Sequence, residues 1–530
     1  MRPVVWRPPV EPSPAEQAVI KAVRRARLFV FLREHRHELL DEEFQSELAE
    51  TYADSPKGQP PVPPARLALA TILQAYTGVS DDEVIEATVM DRRWQLVLDC
   101  AGAEEPPFSK GTLVGFRRRL IEKDLDRQLV ERTVELAAAT KGFGARPLRA
   151  ALDSSPLWGA GRVEDTFNLM GHALRTALGV IAAVQGRGQA AGTAVVAAQA
   201  GVPELAASSL KAALDRDWDD PGARDGALAE VLGLLERVEA FAAGQAGDEA
   251  AATAVAAARQ VRDQDTDLTG PAPALRRGVA RDRRISIEDS EMRHGRKSRS
   301  VLFDGYKRHV LRDLDTGLIP AVGITPANAP EASVTGDITA DLEAAGRRLA
   351  ELHIDRAYLS SDLVRDRAPD LAVFCKAWRV RNASGRFAKD QFSIDFDTGQ
   401  LTCPAGVSMP FEPGRTVRFP KATCAACPLR QRCTASSTGR SVAIHPDEAL
   451  LTQLRQRQQT PQGREELRER VQVEHALAHI GHWQGRRARY LGTRKNLFDL
   501  RRVAVVHNLH IIARQTITDS HQLRNRLTAT

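Results

Sequence analysis

Residues 300–377 read SVLFDGYKRHVLRDLDTGLIPAVGITPANAPEASVTGDITADLEAAGRRLAELHIDRAYLSSDLVRDRAPDLAVFCKA, and the apolar period changes repeatedly along them. SVLFDGYKRHVLRD (300–313) and LIPAVGITPAN (318–328) are strand-like and follow each other closely enough for a hairpin. ITADLEAAGRRLAEL (338–352) has helical spacing, and LHID (352–355) is again a short apolar strand. LSSDLVRDRA (359–368) is helix-sized, and LAVFCKA (371–377) closes on a strand. Strands and helices in this order build a mixed α/β sheet. Outward from it, LRAALDSS (148–155) supplies an earlier strand and 464–481 a late helix. Residues 165–190 are helical, and an Ala-rich, acidic helical block over roughly 190–265 interrupts the sheet as an insertion.

Residues 1–145 read as all-helical. Pro-rich stretches at 1–14 and 60–64 bracket helix-period segments, among them ARLALATILQAYTG (65–78). Ser80 followed by Glu83 has capping-box spacing, and Ser109 caps a long amphipathic helix that carries Arg117, Arg118 and Arg119. Short helices ending in a basic one fit a helix-turn-helix-like DNA-binding unit or a plain helical bundle.

A chain of 530 residues that is 43% hydrophobic and 27% charged has material for a sizeable core, which excludes a disordered chain. Six cysteines are too few for a disulfide scaffold. No run of 18 apolar residues is present, and MRPVVWRPPVEPSP lacks the apolar core of a secretory signal. A cytoplasmic protein without a membrane segment is expected. Lys and Arg outnumber Asp and Glu 15 to 6 over 451–530 and 11 to 5 over 276–308, whereas acids lead 14 to 6 over 201–270. Such blocks fit a polyanion docked on particular surfaces, or solvated faces of an arginine-rich protein.

Asp153 ends the apolar run LRAALD and Asp355 ends LHID, so both sit at strand ends, where an Asp is ordinarily a turn or capping residue. In REELRERVQVEHALAHIG, helical spacing collects Leu467, Arg470, Val471, Glu474, Leu477 and Ala478 on one face. Arg470 and Glu474 then lie on an otherwise apolar stripe, either as an internal ion pair or as part of a polar site. Three converging carboxylates would suit two Mg²⁺ (or Mn²⁺) ions about 3.5–4 Å apart, since hard cations prefer oxygen ligands.

At these residues the chain resembles the DDE transposases of bacterial insertion sequences. The segments that carry the resemblance are PPARLALATILQAYTGVSDDEVIEATVMDRRWQLVL with PPFSKGTLVGFRRRL, LRAALDSSPLWGAG, HGRKSRSVLFDGYKRHV with GLIPAVGITPANAPEA, HIDRAYLS with its D-x-x-Y of Asp355 and Tyr358, and RERVQVEHALAHIGHWQGRRARYLGTRKNLFDLRRVAVVHNL. The resemblance implies a ribonuclease-H-like, retroviral-integrase-like α/β catalytic domain behind an all-α N-terminal domain. It also implies Asp153, Asp355 and Glu474 as catalytic metal ligands. The family's third motif often runs Tyr-x₂-Arg-x₃-Glu-x₆-Lys. Here Arg470 and Glu474 match it, but Leu467 and Gly481 stand at the Tyr and Lys positions. No phosphate-holding role therefore carries over to those two positions, and Arg486, Arg487 or Arg489 would supply the cation. Arg470 would orient Glu474 or a DNA phosphate, and Lys307 would join Arg117–Arg119 among the DNA contacts.

The implied activity is Mg²⁺-dependent cleavage at the ends of a mobile element and strand transfer into target DNA. The implied partner is double-stranded DNA, as terminal inverted repeats and as target, bound by a homodimer in a bacterial, nucleoid-associated setting. A catalytically inactive DNA-binding regulator and a metal-dependent nuclease are the competing readings. The expected parts are a DNA-binding region at 1–145, a catalytic domain in three pieces (146–189, 271–395 and 447–515), the helical insertion at 190–270, a Cys-rich insertion at 396–446 and a tail at 516–530.

Cys403, Cys424, Cys427 and Cys433 have the spacing C-x₂₀-C-x₂-C-x₅-C. Four thiolates at about 2.3 Å would hold a structural Zn²⁺, with an iron–sulfur cluster or free thiols as alternatives. The segment around them is turn-rich and poor in large apolar residues, so a metal cross-link is the expected source of its order. Cys100 and Cys375 read as core. His475, His479 and His482 share a neighbourhood and read as surface or DNA-facing rather than metal-binding. Trp158 reads as core packing rather than as a platform for an unpaired base.

Overall fold

The computed structural model describes residues 2–54, 59–139, 146–244, 249–380, 382 and 384–527. The expected boundary after residue 145 and the last three residues of the expected tail lie outside the described residues.

The N-terminal part is helical as far as Ala139. Its central helix, α1 (Pro64–Thr77), buries Leu67, Ala68, Leu69, Ala70, Ile72 and Leu73 completely. Helix α1 stops at Gly78, whose φ of 74° is open to glycine at little steric cost. Helix α2 (Asp81–Met90) starts on the Ser80–Glu83 capping box, and Ser109 caps α3 (Lys110–Glu122). The expected long helix is broken at Asp124, where φ reaches 54°, and α4 (Leu125–Ala139) starts afresh.

Six strands form the main sheet: β1 (Leu148–Trp158), β2 (Arg293–Arg296), β3 (Leu302–Asp313), β4 (Ala321–Pro326), β5 (Leu349–Ile354) and β6 (Ala372–Cys375). The long strand β3 pairs antiparallel with β1 along one edge and with both β2 and β4 along the other. On the far side of β1, β5 and then β6 run parallel to it. The hairpin of 300–328 and the later strand–helix alternation thus appear as expected. The parallel half needs a crossover, which α6 (Thr335–Ala344) supplies between β4 and β5.

Between β1 and β2 the chain leaves the sheet. Helix α5 (Thr166–Val184) and further helices up to Asp265 share their own core, built on Leu169, Leu174, Leu178, Leu228, Leu235 and Val261. By length and composition α5 could cross a membrane, but 56% of its apolar window is buried inside this helical block.

The chain ends in α7 (Glu448–Arg457), α8 (Pro461–Glu466), α9 (Val471–Gln484) and α10 (Thr493–Leu527). One sheet face packs Ala151, Leu157, Tyr306 and Val310 against Val473, Ala476 and Ile480 of α9, and Val503, Val506 and Leu509 of α10 belong to the same cluster. The opposite face packs Leu152, Leu311 and Leu352 against Ile338 and Leu342 of α6 and Leu450 and Leu454 of α7. Leu67 to Leu73 of α1 join the first of these clusters, so the N-terminal helices share a core with the sheet. Each fully buried Leu contributes about 1.5–3 kcal/mol, which makes this union strong. Residues 516–527, expected as a tail, continue α10 without a break.

Candidate active site

Asp153 and Asp355 become neighbours through strand register. Leu152 of β1 pairs in parallel with Ile354 of β5, so each aspartate is the next residue along adjacent strands. Asp153 is mostly buried, its Oδ1 accepting the Ser154 N–H at 2.8 Å and its Oδ2 bonded by Arg470. Burial raises the Asp153 pKa above the ordinary carboxylate value, the Arg470 charge opposes this, and the Asp355 charge adds to it. Asp355 is exposed and caps a short turn, accepting the Ala357 N–H at 3.3 Å. Beneath them Tyr358 is buried, with its hydroxyl 2.9 Å from His309 Nδ1, while His309 Nε2 lies 2.9 Å from Thr325 Oγ1. Burial holds His309 down to about 3, so it is neutral, and burial lifts Tyr358 well above its usual value, with Asp153 adding to the rise.

Glu474 arrives on α9, but not on the face expected of it. Residues 467–470 form a turn, which resets the helical phase at Val471. The buried face is Val473, Ala476, Leu477 and Ile480, whereas Val471, Glu474 and Ala478 are exposed. The expected buried carboxylate is therefore an open one. Arg470 donates to Glu474 Oε1 at 2.7 Å while it also binds Asp153. One guanidinium thus ties the two carboxylates together, which is the arrangement needed for the first of its two expected roles, orienting Glu474.

The cations singled out in the sequence separate into spent and free ones. Arg117 is buried, with Nη2 2.5 Å from Asp81 and Nη1 2.9 Å from Gln74 Oε1, so its expected DNA contact is overturned. Lys307 is also corrected: it is buried, donating to the Ala329 carbonyl at 2.7 Å and pairing with Glu331 at 3.0 Å. A run along one helix turns each successive residue about 100°, so a triplet cannot all face solvent. Arg118 is exposed, 3.8 Å from Glu122, and Arg119 lies 4.2 Å from the Tyr52 ring centroid. Arg486, Arg487 and Arg489 are exposed and hold no ion pair among the described residues. Arg487 and Arg489 donate to the carbonyls of Ala160 and Val79 at 2.9 and 2.8 Å.

Sequence reading missed Arg308 of β3. It is buried, donates to Ser155 Oγ at 2.8 Å and to Gln484 Oε1 at 3.0 Å, and a Cβ on Gly481 would lie 3.2 Å from its Nη2. The cation beside Gly481 therefore comes from the sheet rather than from the helix. Nothing in the local sequence marks it, because β3 and α9 meet only in the tertiary fold. Trp158 is half-buried rather than core, 5.8 Å from the Phe303 ring and 5.0 Å from the Arg486 guanidinium.

Cys403, Cys424, Cys427 and Cys433 line one cavity of about 190 Å³. All are free thiols, and burial raises the Cys433 pKa. Phe387, Phe392, Leu401, Val417, Phe419, Val442 and Ile444 form a core beside them, so this unit is not short of apolar residues. Two of those phenylalanines precede residue 396, which is why the segment alone looked poor. Among the described residues, no group of three or more His, Cys, Asp or Glu is arranged to hold a metal ion, at these thiols or at the carboxylates. His475, His479 and His482 are exposed on α9, and Cys375 is buried in β6 with its thiol pushed up to about 12 by burial.

Comparison with known proteins finds two families. Residues 402–513 match the Transposase DDE domain, a segment that holds Arg470 and Glu474, and residues 24–119 match the Transposase domain (DUF772). No curated protein and no solved structure matches the chain. Two transposase family models, one at the helical N-terminal end and one over the acidic helix, support a DDE transposase of the insertion-sequence type.

Proposed function

We propose that the chain binds the ends of its element and catalyses Mg²⁺-dependent cleavage and strand transfer, with Asp153, Asp355 and Glu474 as the metal-binding carboxylates. The observation that carries this reading is the juxtaposition of Asp153 and Asp355 on adjacent parallel strands, with Glu474 tied to Asp153 through Arg470. The sheet order supports a ribonuclease-H-like catalytic fold: an antiparallel half around β3, then β5 and β6 parallel to β1. The donor set is oxygen only, which fits a hard divalent cation. Asp153, Asp355 and Glu474 would hold such cations, which would supply Lewis-acid activation of the attacking oxygen and charge stabilisation at the leaving one.

The chain's own residues do the positioning. Register sets the two aspartates side by side, and Tyr358 and His309 form a dry, neutral floor beneath them. Arg470 aligns Glu474 with Asp153, which is a positioning role. The four cysteines are four soft donors around one cavity, and by donor chemistry they are our proposed seat for a structural Zn²⁺. Two copies holding two ends would complete the DNA complex.

The test uses labelled duplexes that end in the inverted repeats flanking the gene. Cut and joined products in Mg²⁺ are expected from the wild-type chain and none from Asp153→Asn. Cutting without joining identifies a nuclease, and end binding without cutting identifies an inactive regulator.

A further inference from the structure

Beside Asp355 and Arg470 lies a groove of about 1140 Å³, bounded by the segment after β6 and by the α8 turn. Arg356, Lys376, Arg379, Arg464 and Arg468 line it, all exposed and none in an ion pair among the described residues. Asp355 and Asp390 are the acids on its wall, and Arg455, also there, is spent on Glu448 at 2.9 Å. Trp378 stands in the same groove with 54% of its surface open, its ring centroid 5.7 Å from the Arg356 guanidinium. Lining by five unspent cations fits a polyanion, and an open indole face beside them fits a planar ring.

We propose that this groove holds a single DNA strand entering the acidic site, with its phosphates on the five cations and an unpaired base stacked on Trp378. The inference rests on the DNA-transposase reading and adds which surface takes the strand and in what form. Bases inside a duplex are stacked on each other and cannot present a face to a side chain, so an exposed tryptophan in a basic groove serves an unpaired strand. No two of the five cations are adjacent in sequence. They come from the turn after β5, the chain after β6, α8 and the turn before α9.

The experiment measures binding of the full chain to a labelled oligothymidylate of about 16 nucleotides, and to a duplex of the same length, in EDTA over a salt series. No cleavage occurs there, so the measurement does not depend on transposition, and loss of strand binding is told apart from failure of the cleavage and joining assay. The Lys376→Ala, Arg379→Ala, Arg468→Ala triple variant should bind the single strand at least about tenfold more weakly, with a salt slope shallower by about 2. Trp378→Ala should lose about tenfold and Trp378→Phe should stay within about threefold of wild type. All four positions are exposed, so thermal melting should be unchanged, which separates lost contacts from lost fold. Wild-type affinity and slope in the triple variant would overturn the proposal. So would equal losses for duplex and single strand, or a Trp378→Ala variant that binds like wild type.

Discussion

The arginine run at 117–119 and the groove between Lys376 and Arg468 are both basic, and they use their charge in opposite ways. In the run, Arg117 is buried against Asp81 and Gln74, and Arg119 leans on Tyr52. In the groove, Arg379 and Arg468 are exposed and hold no ion pair among the described residues. Charge density in sequence therefore says little about charge left over for a ligand. A buried guanidinium must find acceptors, a carboxylate as for Arg117 or neutral oxygens as for Arg308, because desolvating it unpaired costs several kcal/mol. An exposed one owes nothing and stays available.

The largest expected effect separates chemistry from either set of cations. Asp153→Asn, Asp355→Asn and Glu474→Gln should each lower cleavage by at least about a thousandfold, the scale of several kcal/mol of lost charge stabilisation. Oligonucleotide affinity of these variants should stay near wild type, read by gel shift beside the cleavage assay. Near-normal strand transfer by any one of them would remove that residue from the site.

Next comes the direct contrast between Arg117 and Arg379. Arg117→Ala should cost about 3 kcal/mol in denaturant unfolding, since it strands Asp81 in a partly buried place. Arg379→Ala should stay within about 0.5 kcal/mol of wild type and weaken DNA binding instead. A stable Arg117→Ala variant with lost DNA affinity would reverse the comparison.

Acid sharpens the same contrast. Hydrogen bonds from Arg117 hold Asp81 down to about 2, below its ordinary 3.8. A depressed carboxyl contributes stability that is present above the unfolded-state value and is lost as pH falls through the folded one. About 2 kcal/mol should therefore disappear between roughly pH 4 and pH 2. Urea midpoints across that window should fall in the wild-type chain and flatten in Arg117→Ala.

The smallest effect on DNA belongs to the thiols. Protein purified without added metal should carry about one zinc per chain, lost in Cys424→Ser with Cys427→Ser. Because this unit has its own apolar core, groove binding should change by less than about twofold, within the range of neutral surface changes. Elemental analysis that finds no metal in the wild-type chain removes the zinc.

Much of the architecture was legible because its signals are local. The Ser80–Glu83 box, the Ser109 cap, the hairpin of 300–328 and the strand that stops before Asp355 all depend on residues within a few positions of each other, whereas the strand expected to end near Asp153 runs on to Trp158. The misreadings share a different cause. Extending one helical phase from Leu467 to Ala478 buried Glu474 on paper, but four turn residues reset the phase and exposed it. Reading 396–446 in isolation hid the phenylalanines at 387 and 392 that complete its core.

By itself the sequence determined the order of helices and strands, the caps that start them and an acidic residue on each of two strand segments, since periodicity and capping act over one or two turns. It also carried the resemblance to DDE transposases. Only the tertiary structure decided that Leu152 pairs with Ile354 and so sets the aspartates side by side, that Arg470 bridges Asp153 and Glu474, and that Arg308 fills the place beside Gly481. It also decided which arginines are spent and which are free. Those outcomes depend on partners hundreds of residues away, and the cost of burying an unpaired charge is settled only when the partner is in place.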